Sequence, residues 1–159
     1  MNKKAVAAAV LVLAAFLLCG YGWRLHVRQE LIETPVYSSF MRMIAEETPG
    51  GVLTEVALRS EKMRVEGIQL YHVRYYPQAR TVVYTVDEVK KFPSMGARLI
   101  GENGAEISGW YLPAQIKQGV VKLFFEEVEH PETLAFLELI DVARPDSTEA
   151  EPTIRFPLK

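Results

Sequence analysis

Cysteine is nearly absent: Cys19 stands alone in 159 residues. A single thiol excludes an intramolecular disulfide and a cysteine-rich zinc site. Histidine is scarce too. His26, His72 and His130 lie far apart, and none forms the H-x-x-x-H pair that would hold a metal. There is no G-x-S-x-G elbow, and "SMGARLIGENG" has neither G-x-x-x-x-G-K nor G-x-G-x-x-G spacing. Nucleophilic catalysis and a phosphate cradle are therefore without support, and no cofactor or metal is expected. A basic surplus is also missing. With Lys3 and Lys4 set apart from the 18 basic residues, 16 remain against 20 acidic ones. That balance speaks against nucleic acid as a partner, because counterion release needs a basic surface.

Apolar residues are not lacking. They make up 49% of the chain against 24% charged, which excludes wholesale disorder and allows one buried core. "MNKK" followed by the apolar run Ala5 to Cys19 has the form of a signal or anchor segment. Fifteen residues reach roughly 22 Å as a helix, short of the ~30 Å hydrocarbon layer. Continuing through Trp23 gives roughly 28 Å, which suffices. Tyr21 and Trp23 then occupy interfacial positions, with Arg24 and Arg28 just beyond.

Two other fates stand beside this signal anchor. Lipid attachment at Cys19 would need a small residue before it, but Phe16, Leu17 and Leu18 are bulky. Cleavage after Gly20-Tyr21-Gly22, releasing a secreted chain, meets the small-residue pattern only in part. The expectation is an uncleaved membrane helix over residues 1–23, crossing the membrane through residues 5–23. Lys3 and Lys4 stay inside and the rest is extracytoplasmic.

Residues 24–51 read as a polar neck and a short amphipathic helix. Thr34-Pro35 looks like a cap with proline at the first helical position. Val36, Tyr37, Phe40, Met41 and Ile44 follow at helical spacing, predicting a helix over 35–47. From Val52 the texture turns to strands: 52–58, 67–76, 81–86, 97–110, 119–128, 132–143 and the terminal "TIRFPL". Pro77 to Arg80 and His130-Pro131 mark turns, and Asp146 to Pro152 a polar loop. Asn103-Gly104 predicts a hairpin with a type I′ turn. Seven or eight short strands indicate a mainly β, antiparallel sandwich over 52–159.

The segments "VRYYPQARTVVYTV", "ARLIGENGAEISG", "GVVKLFFEEV", "ETLAFLELI" and "TIRFPL" carry a resemblance. Over about residues 70–159 the chain resembles the immunoglobulin-like extracytoplasmic domains of Gram-positive membrane-anchored anti-sigma-factor-type and related envelope proteins. The resemblance implies an immunoglobulin-like sandwich behind a membrane helix. Only Met1 to Lys4 precede the apolar run, so no sigma-binding activity and no functional residue carries over.

Alternation places Ile68, Leu70 and His72 on one face of the 67–76 strand, and Tyr71, Val73 and Tyr75 on the other. Tyr71 and Tyr75, together with Trp110 and Tyr111, form the candidate interaction surface. In "FFEEVEH", Glu126, Glu127, Glu129 and His130 lie close in sequence but alternate across a strand, so convergence on a cation is not expected. The expected function is that of a tethered, non-catalytic binding or assembly module of the cell envelope. Its partner would be another envelope protein or a cell-wall component. An envelope-signal sensor ectodomain and a cell-wall hydrolase are the alternatives, the latter lacking any convergent Asp, Glu or His set.

Overall fold

The computed structural model describes residues 3–87, 95–107, 110–117, 119–141 and 153–159. It divides into two compact units, Met1–Thr34 and Pro35–Lys159.

The first unit is one helix, α1 (Lys3–Glu33). Val10 to Leu13 and Phe16 to Leu18 are consecutive large side chains, all exposed, so the helix is apolar all round. A helix apolar on every side belongs in a core or a membrane. Its stretch Val10–Glu33 contains an 18-residue window of mean hydropathy 1.7, none of which is buried. It is long and apolar enough to cross a bilayer. The polar run 24–33 continues the same helix, with Gln29 donating to Glu33 one turn on (2.8 Å). Pro35 sets the stop, because a residue before proline avoids helical geometry. Thr34-Pro35 therefore ends α1 rather than starting the next helix.

The next helix, α2, is Ser39–Glu47, shorter than the expected 35–47. Ser38 is its cap, accepting the Met41 N–H at 3.2 Å. Met41 and Ala45, four apart, are its buried residues. They join Leu53, Tyr76, Val83 and Phe124 in a cluster that welds α2 to a sheet. Residues 35–51 thus belong to the β unit and are not a separate neck.

Among the described residues, ten strands form two antiparallel sheets. Sheet A contains β1 (Val56–Arg59), β2 (Met63–Val65), β3 (Ile68–Tyr76), β4 (Thr81–Asp87), β7 (Trp110–Lys117) and β8 (Val120–Glu126). Its order is β1-β3-β4-β8-β7, with β2 also paired to β3. Sheet B contains β5 (Met95–Gly101), β6 (Glu106–Ile107), β9 (Leu134–Asp141) and β10 (Thr153–Pro157), ordered β10-β9-β5-β6. One core joins them. Leu70, Val73, Tyr84 and Leu123 of sheet A meet Leu99, Leu137, Leu139 and Phe156 of sheet B. The unit is a mainly β, two-sheet assembly with α2 on the far side of sheet A.

Three local expectations change. At Asn103-Gly104 only Gly104 has positive φ (77°), so the turn is not type I′. Gly104 N–H reaches Gly101 C=O (2.9 Å) and Gly101 N–H reaches Ala105 C=O (2.9 Å). That is the three-residue loop closed by a left-handed glycine. The I′ pattern sits at Glu66 (φ 50°) and Gly67 (φ 87°), between the paired Val65 and Ile68. The strand expected at 52–58 begins only at Val56. Strand β7 contains Pro113, which is tolerated because β7 lies at the sheet's edge and the register shifts between Leu112 and Gln115. The expected loop at Asp146 to Pro152 lies outside the described residues.

Candidate functional site

The candidate aromatic surface divides. In β3 the register to β4 jumps from Leu70↔Val86 to His72↔Thr85, so Tyr71 is an extra, bulged residue. The bulge resets the alternation. Val73 and Tyr75 turn inward with Ile68 and Leu70, while His72 turns outward. Tyr71 stays on the outer face, donating to Asp87 Oδ2 at 2.7 Å. Tyr75 donates to Val128 C=O at 3.1 Å, and burial pushes its hydroxyl up. Tyr71 and Tyr75 therefore do not share a surface. Trp110 and Tyr111 pair with Glu126 and Phe125 through β7, and their side chains lie outside the described residues.

The "EEVEH" residues disperse. Glu126 accepts from Ser38 (2.7 Å), Glu129 pairs with Arg80 (3.2 Å), and His130 pairs with Glu132 (3.1 Å). Glu127 is exposed with φ 62°. Glu126 and Glu129 are thus engaged with different neighbours, and the three glutamates do not converge.

Beyond the part covered by α2, the outer face of sheet A carries a polar row. His72, Thr85 and Lys122 stand in register across β3, β4 and β8. Thr85, Asp87 and Lys122 are all buried. Buried polar groups on a strand face need partners, and the Tyr71–Asp87 bond supplies one.

The outer face of sheet B is built differently. Inward positions Leu99, Leu137, Leu139, Ile154 and Phe156 fill the core, so their neighbours point outward. Pairing Arg98↔Glu138↔Arg155 sets three charges in one row across β5, β9 and β10. Pairing Glu106↔Ile100↔Phe136 forms the next row. Arg98 Nε donates to Glu138 Oε2 at 2.6 Å, and Arg155 Nε to Oε1 at 2.7 Å, with Arg155 Nη2 on the same oxygen. The Arg155 guanidinium lies 5.1 Å from the Phe136 ring centre. Glu138 is 1% exposed although it sits on an outward face, because the two arginines close over it. Burial alone would raise its carboxyl. The hydrogen bonds and charges of Arg98 and Arg155 outweigh that and hold it below the usual carboxylate range.

These residues line a groove of about 310 Å³, with Glu102 and Glu106 at its rim. Lys159 pairs with Glu102 and also donates to Glu132 C=O (2.8 Å). The groove combines two oriented guanidinium groups, an aromatic and an aliphatic wall, and the acids Glu102 and Glu106. The one buried carboxylate of the lining, Glu138, already accepts from three donors.

Compared with known proteins, the chain matches no protein-family model, no curated protein and no solved structure.

Proposed function

We propose that this chain is a membrane-tethered, non-catalytic binding module whose β unit lies outside the cytoplasmic membrane of a bacterial envelope. Helix α1 carries the reading: large apolar side chains face every direction and none of its apolar window is buried. Water would penalise such a helix heavily, and a bilayer satisfies it. Tyr21 and Trp23 at the end of the apolar run, followed by Arg24, fit an interface. Lys3 and Lys4 favour the N-terminus inside. Two antiparallel sheets over one core support the immunoglobulin-like reading of the β unit. Its open groove on sheet B supports a binding role, toward another envelope protein or a cell-wall component.

The test is fractionation and protease accessibility of the full-length chain in a bacterial host. The protein should stay in membranes after alkaline carbonate washing, and external protease on spheroplasts should digest the β unit. Cys19→Ser should leave both the fraction and the mass unchanged. A carbonate-soluble protein, a protease-protected β unit, or a lipid mass dependent on Cys19 would each overturn the tether as described.

A further inference from the structure

We infer that Asn103-Gly104, in the turn between β5 and β6, is a modification site: the asparagine side chain closes on the next peptide as an imide, loses ammonia and reopens as aspartate or isoaspartate. The chain holds two asparagines, Asn2 and Asn103, and only Asn103 precedes a glycine. The conversion needs no co-reactant but water. The Gly104 nitrogen attacks Asn103 Cγ, and the new N–Cγ bond closes the imide ring. The Cγ–Nδ2 bond breaks, and ammonia leaves with the proton that the Gly104 amide gave up. Water then opens the ring at one of its two carbonyls. Attack at Cγ leaves aspartate in an ordinary peptide link. Attack at the main-chain carbonyl carbon of residue 103 leaves isoaspartate, with the chain routed through Cγ. Nothing is oxidised or reduced on either route.

The turn presents the reacting atoms to each other. Asn103, Gly104 and Ala105 are all exposed, and nothing lies within 4 Å of the point where a Gly104 Cβ would stand. With no side chain, the glycine leaves its nitrogen open to attack. Asn103 Oδ1 accepts the Ala105 N–H at 3.0 Å. That bond folds the side chain back over the Gly104 peptide in between, so the attack takes place within one preorganised loop. The same N–H polarises the Cγ carbonyl and stabilises the oxyanion that forms as nitrogen adds. Gly101 leaves room for this arrangement, because a Cβ there would stand 3.0 Å from Oδ1. One contact opposes the step. Gly104 N–H donates to Gly101 C=O at 2.9 Å, and the nitrogen must give up that proton to attack. Breaking a single exposed hydrogen bond slows a reaction by only about twofold to tenfold. The turn therefore restrains the conversion without preventing it. The new carboxylate arises next to Glu102, and Glu102, Gly104 and Glu106 line the groove. Isoaspartate also lengthens the backbone of the turn that leads into β6.

The full-length chain in detergent micelles would be aged in heavy-oxygen water at neutral and at mildly alkaline pH, both folded and in urea. Digestion in ordinary water then yields the peptide spanning Asn103, so the label marks conversion that occurred during ageing. Mass spectrometry with fragmentation that separates aspartate from isoaspartate reads the products. The folded chain should convert Asn103 to both, and faster at the higher pH, because the attacking amide must lose its proton. Its rate should be no more than about tenfold below the rate in urea, the limit set by one hydrogen bond. Gly104→Ala should slow the conversion in urea as well, where folding of the variant does not enter. A folded rate more than about tenfold below the rate in urea would overturn the inference, because the turn would then shut the site. Aspartate without isoaspartate would overturn it too, since direct hydrolysis would replace the imide. So would a Gly104→Ala chain that converts in urea at the wild-type rate, because the Gly104 nitrogen would then not be the attacking group.

Discussion

Replacing Glu138 by glutamine keeps the side-chain shape and removes one charge from a row of three. Glu138 accepts from Arg98 Nε, Arg155 Nε and Arg155 Nη2. An amide can turn its oxygen toward only one arginine, so its NH₂ faces the other arginine's donors. One charge-assisted bond lost costs about 1.5–3 kcal/mol. Breaking a fully buried pair from one side costs about 3–5 kcal/mol, because a stranded charge remains. Here the stranded groups are guanidiniums already 40% and 58% exposed, so water re-solvates them. The expected loss at pH 7 is therefore near the lower figure, about 2 kcal/mol. Its pH dependence has a fixed sign. The folded carboxyl is held low, so its contribution is full above the ordinary carboxylate pKa. It fades as pH falls below that value and through the folded one. Urea unfolding of the full-length chain in micelles, followed by the strand signal in circular dichroism, reads the difference. The gap between wild type and Glu138→Gln should narrow between pH 5 and pH 3. A gap below about 0.5 kcal/mol at pH 7, the scatter of ordinary surface changes, would refute the reasoning. So would a gap that grows on acidification.

Gly104→Val should destabilise the β unit by about 1–3 kcal/mol, because Gly104 holds φ 77°, which a β-branched residue adopts only under strain. The nearby space is open, so an unchanged melting temperature would mean that this turn tolerates another conformation. Deleting Tyr71 should preserve a cooperative fold while costing about 1–3 kcal/mol for the lost bond to Asp87. Deleting Thr85 from β4, which is paired on both sides, should abolish the fold, since Tyr84 and Val86 could no longer both face inward.

The layout of strands was largely legible because most inward positions repeat with period two. Val82, Tyr84 and Val86 alternate, as do Leu137 and Leu139, and each set enters the core. Helix α1 was legible from apolar length alone. The errors fall where one residue changes the local arithmetic. The bulge at Tyr71 shifted Val73 and Tyr75 inward, and no composition signal marks such an insertion. Ser38 and Thr34 are both acceptable caps by type. Pro35 favours Thr34 as a start signal, yet its effect on the preceding residue makes it the stop of α1. Glu66-Gly67 carries a weak turn signal because glutamate is an unusual first residue for a type I′ turn, whereas Asn103-Gly104 has the favoured composition.

The groove was not legible, for a reason specific to antiparallel sheets. Arg98 and Glu138 are 40 residues apart, and Glu138 and Arg155 are 17 apart. Each is flanked by inward apolar residues: Ala97 and Leu99, Leu137 and Leu139, Ile154 and Phe156. Alternation alone therefore declares all three outward, and an outward charge is ordinarily a solvated one. What turns them into a site is strand order. Only when β9 lies between β5 and β10 do two arginines approach one carboxylate from opposite sides and bury it. Had β10 paired with β5 instead, the same alternation would set Arg98 beside Arg155, and like charges directly opposite destabilise a sheet. Opposite charge at matching positions therefore favours the observed order over that alternative. The same residues that could bind a ligand also discriminate between two ways of closing the sheet, so a change at Glu138 should weaken register and groove together.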